Sequence, residues 1–188
     1  MKRWTRIMLV SALALAAPVR AEVQAVEREG FTIVLVADVT ASPDRAYAAF
    51  SRPADWWDSE HSWSGDARNF RFEPRAGGCW CEALAGGGSV EHGRIIAYNP
   101  ARRVIVMDSV LGPLLETAQA GRLIWRVEPG AREGTSRINW LYRVSIVPTG
   151  NPEQDAALAA AVDGVLAEQM ARLAALLGPA HAAAQPGG

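Results

Sequence analysis

Residues 69–108 read N-F-R-F-E-P-R-A-G-G-C-W-C-E-A-L-A-G-G-G-S-V-E-H-G-R-I-I-A-Y-N-P-A-R-R-V-I-V-M-D. Short strand-forming runs alternate with Gly77-Gly78, Gly86-Gly87-Gly88 and Asn99-Pro100. Such pairs reverse the chain tightly, so the stretch is written as an antiparallel meander. Phe70 and Phe72 alternate with Arg71 and Glu73, and residues 79–84, 89–99 and 104–110 give the next three strands. Gly86-Gly87-Gly88 is a hairpin turn rather than a phosphate cradle, because no helix follows it.

Working outward, a loop over 111–120 carries Gly112-Pro113-Leu114-Leu115, and strands follow at 122–128 and 136–147. In the last of these Ile138, Trp140, Tyr142, Val144 and Ile146 alternate with Asn139, Arg143 and Ser145, the pattern of a half-buried strand. Upstream, residues 31–40 are apolar on both faces and read as a well-covered strand. Ser42 and Pro43 then supply an N-cap and a first helical residue, and Ala46, Tyr47 and Phe50 a buried stripe. Pro53 ends that helix, and 54–57 form a further helical turn. At the far end Asn151 caps and Pro152 opens a helix to Leu177, with Leu158, Val162, Leu166, Met170, Leu173 and Leu177 at helical spacing. Gly178-Pro179 stops it. At 1.5 Å per residue it runs roughly 40 Å, enough to cross the whole sheet. The expected class is α+β: a curved antiparallel sheet wrapped around a long C-terminal helix, with two short helices after the first strand. Such a sheet leaves a hollow against the helix. Ala159, Ala160, Ala161 and Gly164 are small enough to keep it open.

The N-terminus reads as a secretory signal: Met-Lys-Arg-Trp-Thr-Arg, an apolar run from Ile7 to Ala17, and Val19-Arg20-Ala21 as a cleavage site. The run is too short for a permanent span. The expected organisation is a signal peptide over 1–21, a polar lead-in over 22–30, one domain over 31–178 and a disordered tail over 179–188. Loss of Lys2, Arg3, Arg6 and Arg20 removes four positive charges from a net of −1 and leaves −5. A mildly acidic chain has no electrostatic reason to bind nucleic acid or anionic lipid. The expected location is periplasmic or secreted, with no stable membrane span after cleavage.

Three stretches carry a resemblance. Ser42-Pro43-Asp44-Arg45-Ala46-Tyr47-Ala48-Ala49-Phe50 with Ala54-Asp55-Trp56-Trp57 resembles the opening helix and Trp-Trp turn of the START-like helix-grip superfamily (SRPBCC). Phe72-Glu73-Pro74-Arg75-Ala76-Gly77-Gly78-Cys79-Trp80 and the run from Gly93 to Val104 resemble two of its hairpins. The similarity spans about 30–178 and is nearest to the branch of heat-shock ATPase activator homologues and polyketide cyclase-like proteins. It implies a helix-grip fold. It also implies a lipid, sterol, hormone or polyketide ligand, with cyclisation or dehydration in some members, but the fold alone does not choose among these. The chain departs from the branch in its export signal, which is inconsistent with a cytosolic chaperone partner. It departs again in its Cys-Trp-Cys run and in the 111–120 loop.

The candidate ligand-binding residues are Trp56, Trp57, Trp63, His92, Arg94, Asp108, Trp125, Trp140 and Tyr142. Trp56, Trp57 and Trp63 either lid the hollow or plug one end of the core. Trp125, Trp140 and Tyr142 either wall the pocket or fill the core. By alternation His92 shares a face with Arg94, Ile96 and Tyr98. Pointing inward, His92 is the best polar anchor or general acid/base, and pointing outward it is a solvated histidine. Asp108 is suggestive if inward and unremarkable at a frayed strand end. Only His92 and Asp108 are candidates for catalysis.

Cys79 and Cys81 lie two apart on one strand, roughly 6.5–7 Å between Cα atoms at a 3.3 Å rise, too far for a relaxed disulfide. Two packed thiols are expected, with a bulge-assisted disulfide as the alternative. Metal binding with His61 or His92 lacks four converging ligands, so no metal is expected. There is no Gly-x-Ser-x-Gly elbow, His-Glu-x-x-His, phosphate loop or dinucleotide fingerprint, and no cofactor is expected. The reading favours an exported carrier of a small apolar or amphipathic molecule. The alternatives are a cyclase/dehydratase-type enzyme in the same pocket, and an envelope module that binds a protein through the 56–63 loop.

Overall fold

A computed structural model describes residues 20–27 and 29–179. All but the last two residues of the expected signal, and the expected tail beyond Pro179, lie outside the described residues. Eight antiparallel strands form one sheet in the order β1-β2-β8-β7-β6-β5-β4-β3. They are β1 Arg20–Glu27, β2 Gly30–Val39, β3 Phe70–Phe72, β4 Cys79–Ala83, β5 Ser89–Asn99, β6 Val104–Ser109, β7 Ala118–Pro129 and β8 Ser136–Ile146. Two α-helices, α1 Pro43–Phe50 and α2 Pro152–Leu177, complete the α+β helix-grip arrangement. Among the described residues, no helix is long and apolar enough to cross a membrane.

The meander, both helices and their caps fall where the turns and caps predict. Ser42 accepts from the Arg45 N–H at 3.4 Å, and Asn151 accepts from Glu153 and Gln154 N–H groups at 3.0 and 3.4 Å. Two readings need correction. Most of the 22–30 lead-in belongs to β1, which pairs antiparallel with β2. Its polar residues suit an outer strand of the sheet, where periodicity is a weak signal. The 111–120 loop holds a helical turn, Gly112–Glu116, and β7 starts at Ala118 rather than Arg122.

Inward positions of β2, β6, β7 and β8 alternate as expected: Ile33, Leu35, Ile105, Met107, Leu123, Trp125, Ile138, Trp140 and Tyr142 are all completely buried. The C-terminal half of α2 closes this core with Leu166, Met170, Leu173 and Leu177. Each such side chain contributes about 1.5–3 kcal/mol by burial. The helix end is pinned to the sheet. Thr40 N–H and Oγ1–H both donate to the Gly178 carbonyl, at 2.6 and 3.1 Å, and Pro179 bridges Val39. Gly178 has φ +79°, the left-handed conformation in which glycine is least strained.

Candidate functional site

The first half of α2 is not packed in this way. Leu158, Val162 and Val165 continue the apolar stripe but stay half-buried. Together with Ala161 and Leu166 they roof a cavity of about 540 Å³. One wall is the loop of Trp57 and Glu60–Trp63, the other is Leu111–Leu114, and His92 of β5 supplies a buried polar group. The volume lies within the range of small-molecule pockets, and the lining is mostly apolar. Gly164 does not hold it open: it is exposed on α2 and is not part of the lining. Two loops, Trp57 to Trp63 and Leu111 to Leu114, bound the space beside this half of the helix.

His92 points inward because β5 is bulged there. Trp80 pairs with Gly93 and Cys81 with Glu91, so His92 has no partner on β4. Glu91 and Arg94 face outward while His92 and Gly93 both face inward. A Cβ on Gly93 would lie 3.2 Å from the Asp108 carbonyl oxygen and the Ser109 side chain, so glycine lets the bulge close. The Ser109 hydroxyl fixes it by donating to the His92 carbonyl at 2.7 Å.

The ring of His92, 4% exposed, sits among Phe70 and Trp80, with Nε2 2.9 Å from Oε2 of Glu82. Glu82 is itself buried on β4 and accepts Trp63 N–H at 3.1 Å and Ser64 N–H at 2.6 Å. Burial alone would raise the Glu82 carboxyl, but these donors and the imidazole outweigh it and hold its pKa below the usual value. Burial lowers the pKa of His92, against the pull of Glu82. An ionised carboxylate only accepts, so Nε2 carries the proton and Nδ1 of the neutral ring is left as an acceptor. Among the described residues, Nδ1 has no hydrogen-bond partner. A ligand hydroxyl is the natural donor to such an atom. Glu82 thus ties the polar anchor and the cavity wall to one group.

The same loop is also latched to α2. The buried Gln169 accepts the Asp58 N–H at 2.7 Å and reaches Nδ1 of His61 at 3.2 Å. Arg172 donates to the Trp56 carbonyl at 3.1 Å and pairs with Asp58 at 3.0 Å. Asp58, His61 and Glu168 bring ligand-type atoms within 4.8 Å of one another. Arg172 and Gln169 already engage the first two, so the cluster works as a clasp between loop and helix.

Of the predicted site residues, the fold brings Trp57, Trp63 and His92 to the cavity. Trp63 is 45% exposed and forms its rim. Tyr142 is buried and accepts the Leu111 N–H at 3.1 Å, which positions the second wall. Burial raises its pKa, so the phenol stays protonated. Trp56, Trp125 and Trp140 are core: they cluster around Phe50, with ring centroids 5.9 Å from Trp56, 3.9 Å from Trp125 and 6.2 Å from Trp140. Arg94 and Asp108 are corrections. Arg94 faces outward against Glu91 because the bulge breaks its parity with His92. Asp108 pairs with Arg122 at 2.8 Å on the outer face, beside a second hollow of about 430 Å³.

The thiols are a correction too. A disulfide joins Cys79 to Cys81, with Cα atoms 5.4 Å apart rather than the extended-strand distance. The register shift beside Cys81 is where that shortening is accommodated. Sequence reasoning missed Glu82, although its parity with the inward Trp80 was a usable signal. It also missed Gln169 and the Leu111–Leu114 wall.

Comparison with known proteins agrees with this architecture. No curated protein matches the chain by sequence. A solved structure of an uncharacterised Bacillus thuringiensis protein is 14% identical, over 78% of this chain and 98% of its own, with a TM-score of 0.56. A Rhodobacter sphaeroides protein is 18% identical over 84% and 98%, with a TM-score of 0.52. Ginseng major latex-like protein 151 from Panax ginseng is 12% identical over 79% and 97%, with a TM-score of 0.51. At these identities the likeness concerns the fold. The family model described as polyketide cyclase / dehydrase and lipid transport matches residues 30–178. With seven of the eight strands, the gripping helix and the hairpin motifs within that span, the chain belongs to this family, within the START-like helix-grip (SRPBCC) superfamily.

Proposed function

We propose that the chain is an exported binding protein for a small apolar or amphipathic molecule carrying one hydroxyl or similar donor. The observation that carries this is the cavity of about 540 Å³ under the unpacked half of α2, mostly apolar and supplied with a buried, oriented imidazole. Burial of the guest's apolar surface drives binding at about 25 cal/mol per Å². His92 Nδ1 orients the polar end. The family description, which includes lipid transport, supports the same reading. Export rests on the leader alone, and N-terminal sequencing of the purified protein tests it, with a start at Glu22 as the expected result.

Native mass spectrometry of the protein purified without denaturant tests the proposal. Retained mass of one small organic guest, lost in Ala161→Trp, is the expected result. A bare chain that also fails to bind 1-anilinonaphthalene-8-sulfonate overturns it. The Glu82–His92 pair favours a second reading, a cyclase or dehydratase in which His92 accepts a proton from the guest. Under that reading His92→Ala abolishes turnover and weakens binding only modestly. Docking of a protein through the aromatic loop is not favoured, because Trp56 and Trp57 are buried.

A further inference from the structure

The Cys79–Cys81 disulfide lies on the outer face of β4, half exposed, directly opposite the bulge that turns His92 inward. Three residues of β4, Cys79 to Cys81, oppose four of β5, Glu91 to Arg94. The disulfide holds the Cα atoms 5.4 Å apart. A regular strand spaces such residues by about 6.6 Å. The short span on one strand therefore matches the extra residue on the other. Glu82 follows Cys81 in the chain, so its place relative to His92 is set by the same contraction.

We propose that this disulfide is a redox-addressable positioning element for His92, and that a dithiol reductant of the thioredoxin-like class is its partner. This deepens the binding reading and rests on it for its consequence. One thiolate of the reductant attacks a cysteine sulfur and breaks the S–S bond, and the other cysteine leaves as a thiolate and takes a proton. The second thiol of the reductant then displaces the remaining cysteine. Two electrons and two protons pass to the pair, and the reductant leaves as a disulfide. Released, β4 lengthens by about 1 Å next to the bulge. The Nε2–Oε2 bond starts at 2.9 Å. The component of that displacement along the bond lengthens it toward the roughly 3.5 Å limit of a useful hydrogen bond, and the component across it turns the bond out of line. Trp63 and Ser64 donate to the same carboxylate and hold it to the cavity wall, so the change falls on the imidazole.

The test compares oxidised and reduced full-length mature protein in two readouts. The first is the ¹⁵N spectrum of the His92 imidazole: a slowly exchanging Nε2–H is expected when oxidised, and tautomer averaging after reduction or in the Cys79→Ser/Cys81→Ser variant. The second is affinity for 1-anilinonaphthalene-8-sulfonate: a roughly tenfold loss on reduction is expected in the native chain, and less than twofold in His92→Ala. An unchanged imidazole spectrum after reduction overturns the proposal. So does an equal affinity loss with and without His92, or loss of far-UV circular dichroism on reduction, which makes the disulfide a staple of the whole fold. If the oxidised chain does not bind the probe, the binding reading fails, while the imidazole spectrum still decides the coupling.

Discussion

The two halves of α2 carry one continuous apolar stripe and meet different fates. From Leu166 to Leu177 the stripe is buried, and Gly178 pins that end to Thr40. From Leu158 to Val165 the same kind of side chain overhangs a hollow. Helical periodicity states that a face is apolar; it does not state what covers it. Around the packed half, Arg172 holds the Trp56 carbonyl and Trp56 joins the Phe50–Trp125–Trp140 cluster. Around the open half stand two loops whose own hydrogen bonds, to Glu82 and Tyr142, keep them from collapsing inward.

The largest effect separates these halves directly. Leu173→Ala, at a fully buried position, is expected to cost about 3 kcal/mol in denaturant unfolding. Leu158→Ala is expected to cost about 1 kcal/mol, because its side chain is only half-buried and borders the cavity. Equal costs would erase the distinction. Glu82→Ala comes next. It strands buried partners at Trp63, Ser64 and His92. A loss of about 2–3 kcal/mol, with faster amide exchange confined to residues 63 and 64, is expected. Ala161→Trp fills the open half from the helix side. Unfolding stability should stay within about 1 kcal/mol, while probe affinity falls at least tenfold, about 1.4 kcal/mol. The smallest effect is a pH slope. Burial lowers the pKa of folded His92 from the ordinary imidazole value of 6.5, with Glu82 from β4 as its charged neighbour. As pH falls below 6.5 the unfolded chain takes up a proton that the folded chain resists, so stability declines with acidification. His92→Gln should flatten that part of the stability–pH curve. The part below the usual Glu82 value of 4.5 has a separate origin, because Glu82 too is held low when folded.

Most of the architecture was legible because each device acts locally: Gly-Gly turns, Ser42 and Asn151 caps, and strict alternation in β8. The site was less legible because it depends on where alternation fails. A strand's parity predicts facing only while register holds, and one unpaired residue at His92 put Arg94 on the opposite face. The disulfide was misjudged for the same reason, since a uniform rise was assumed at the spot where β4 contracts. For Trp125 and Trp140 alternation fits pocket wall and core equally well. The sequence could not decide, because both readings place them on the inward face, and only the position of Phe50 settles them as core.

One carboxylate serves both the imidazole and two backbone donors of the neighbouring loop. This constrains how the protein can evolve or be redesigned. Under the proposed binding role, selectivity for a guest's polar end cannot be tuned at Glu82 without also disturbing the doorway. New guests are then to be sought through Leu158, Val162 and Val165, the half-buried positions on the cavity roof.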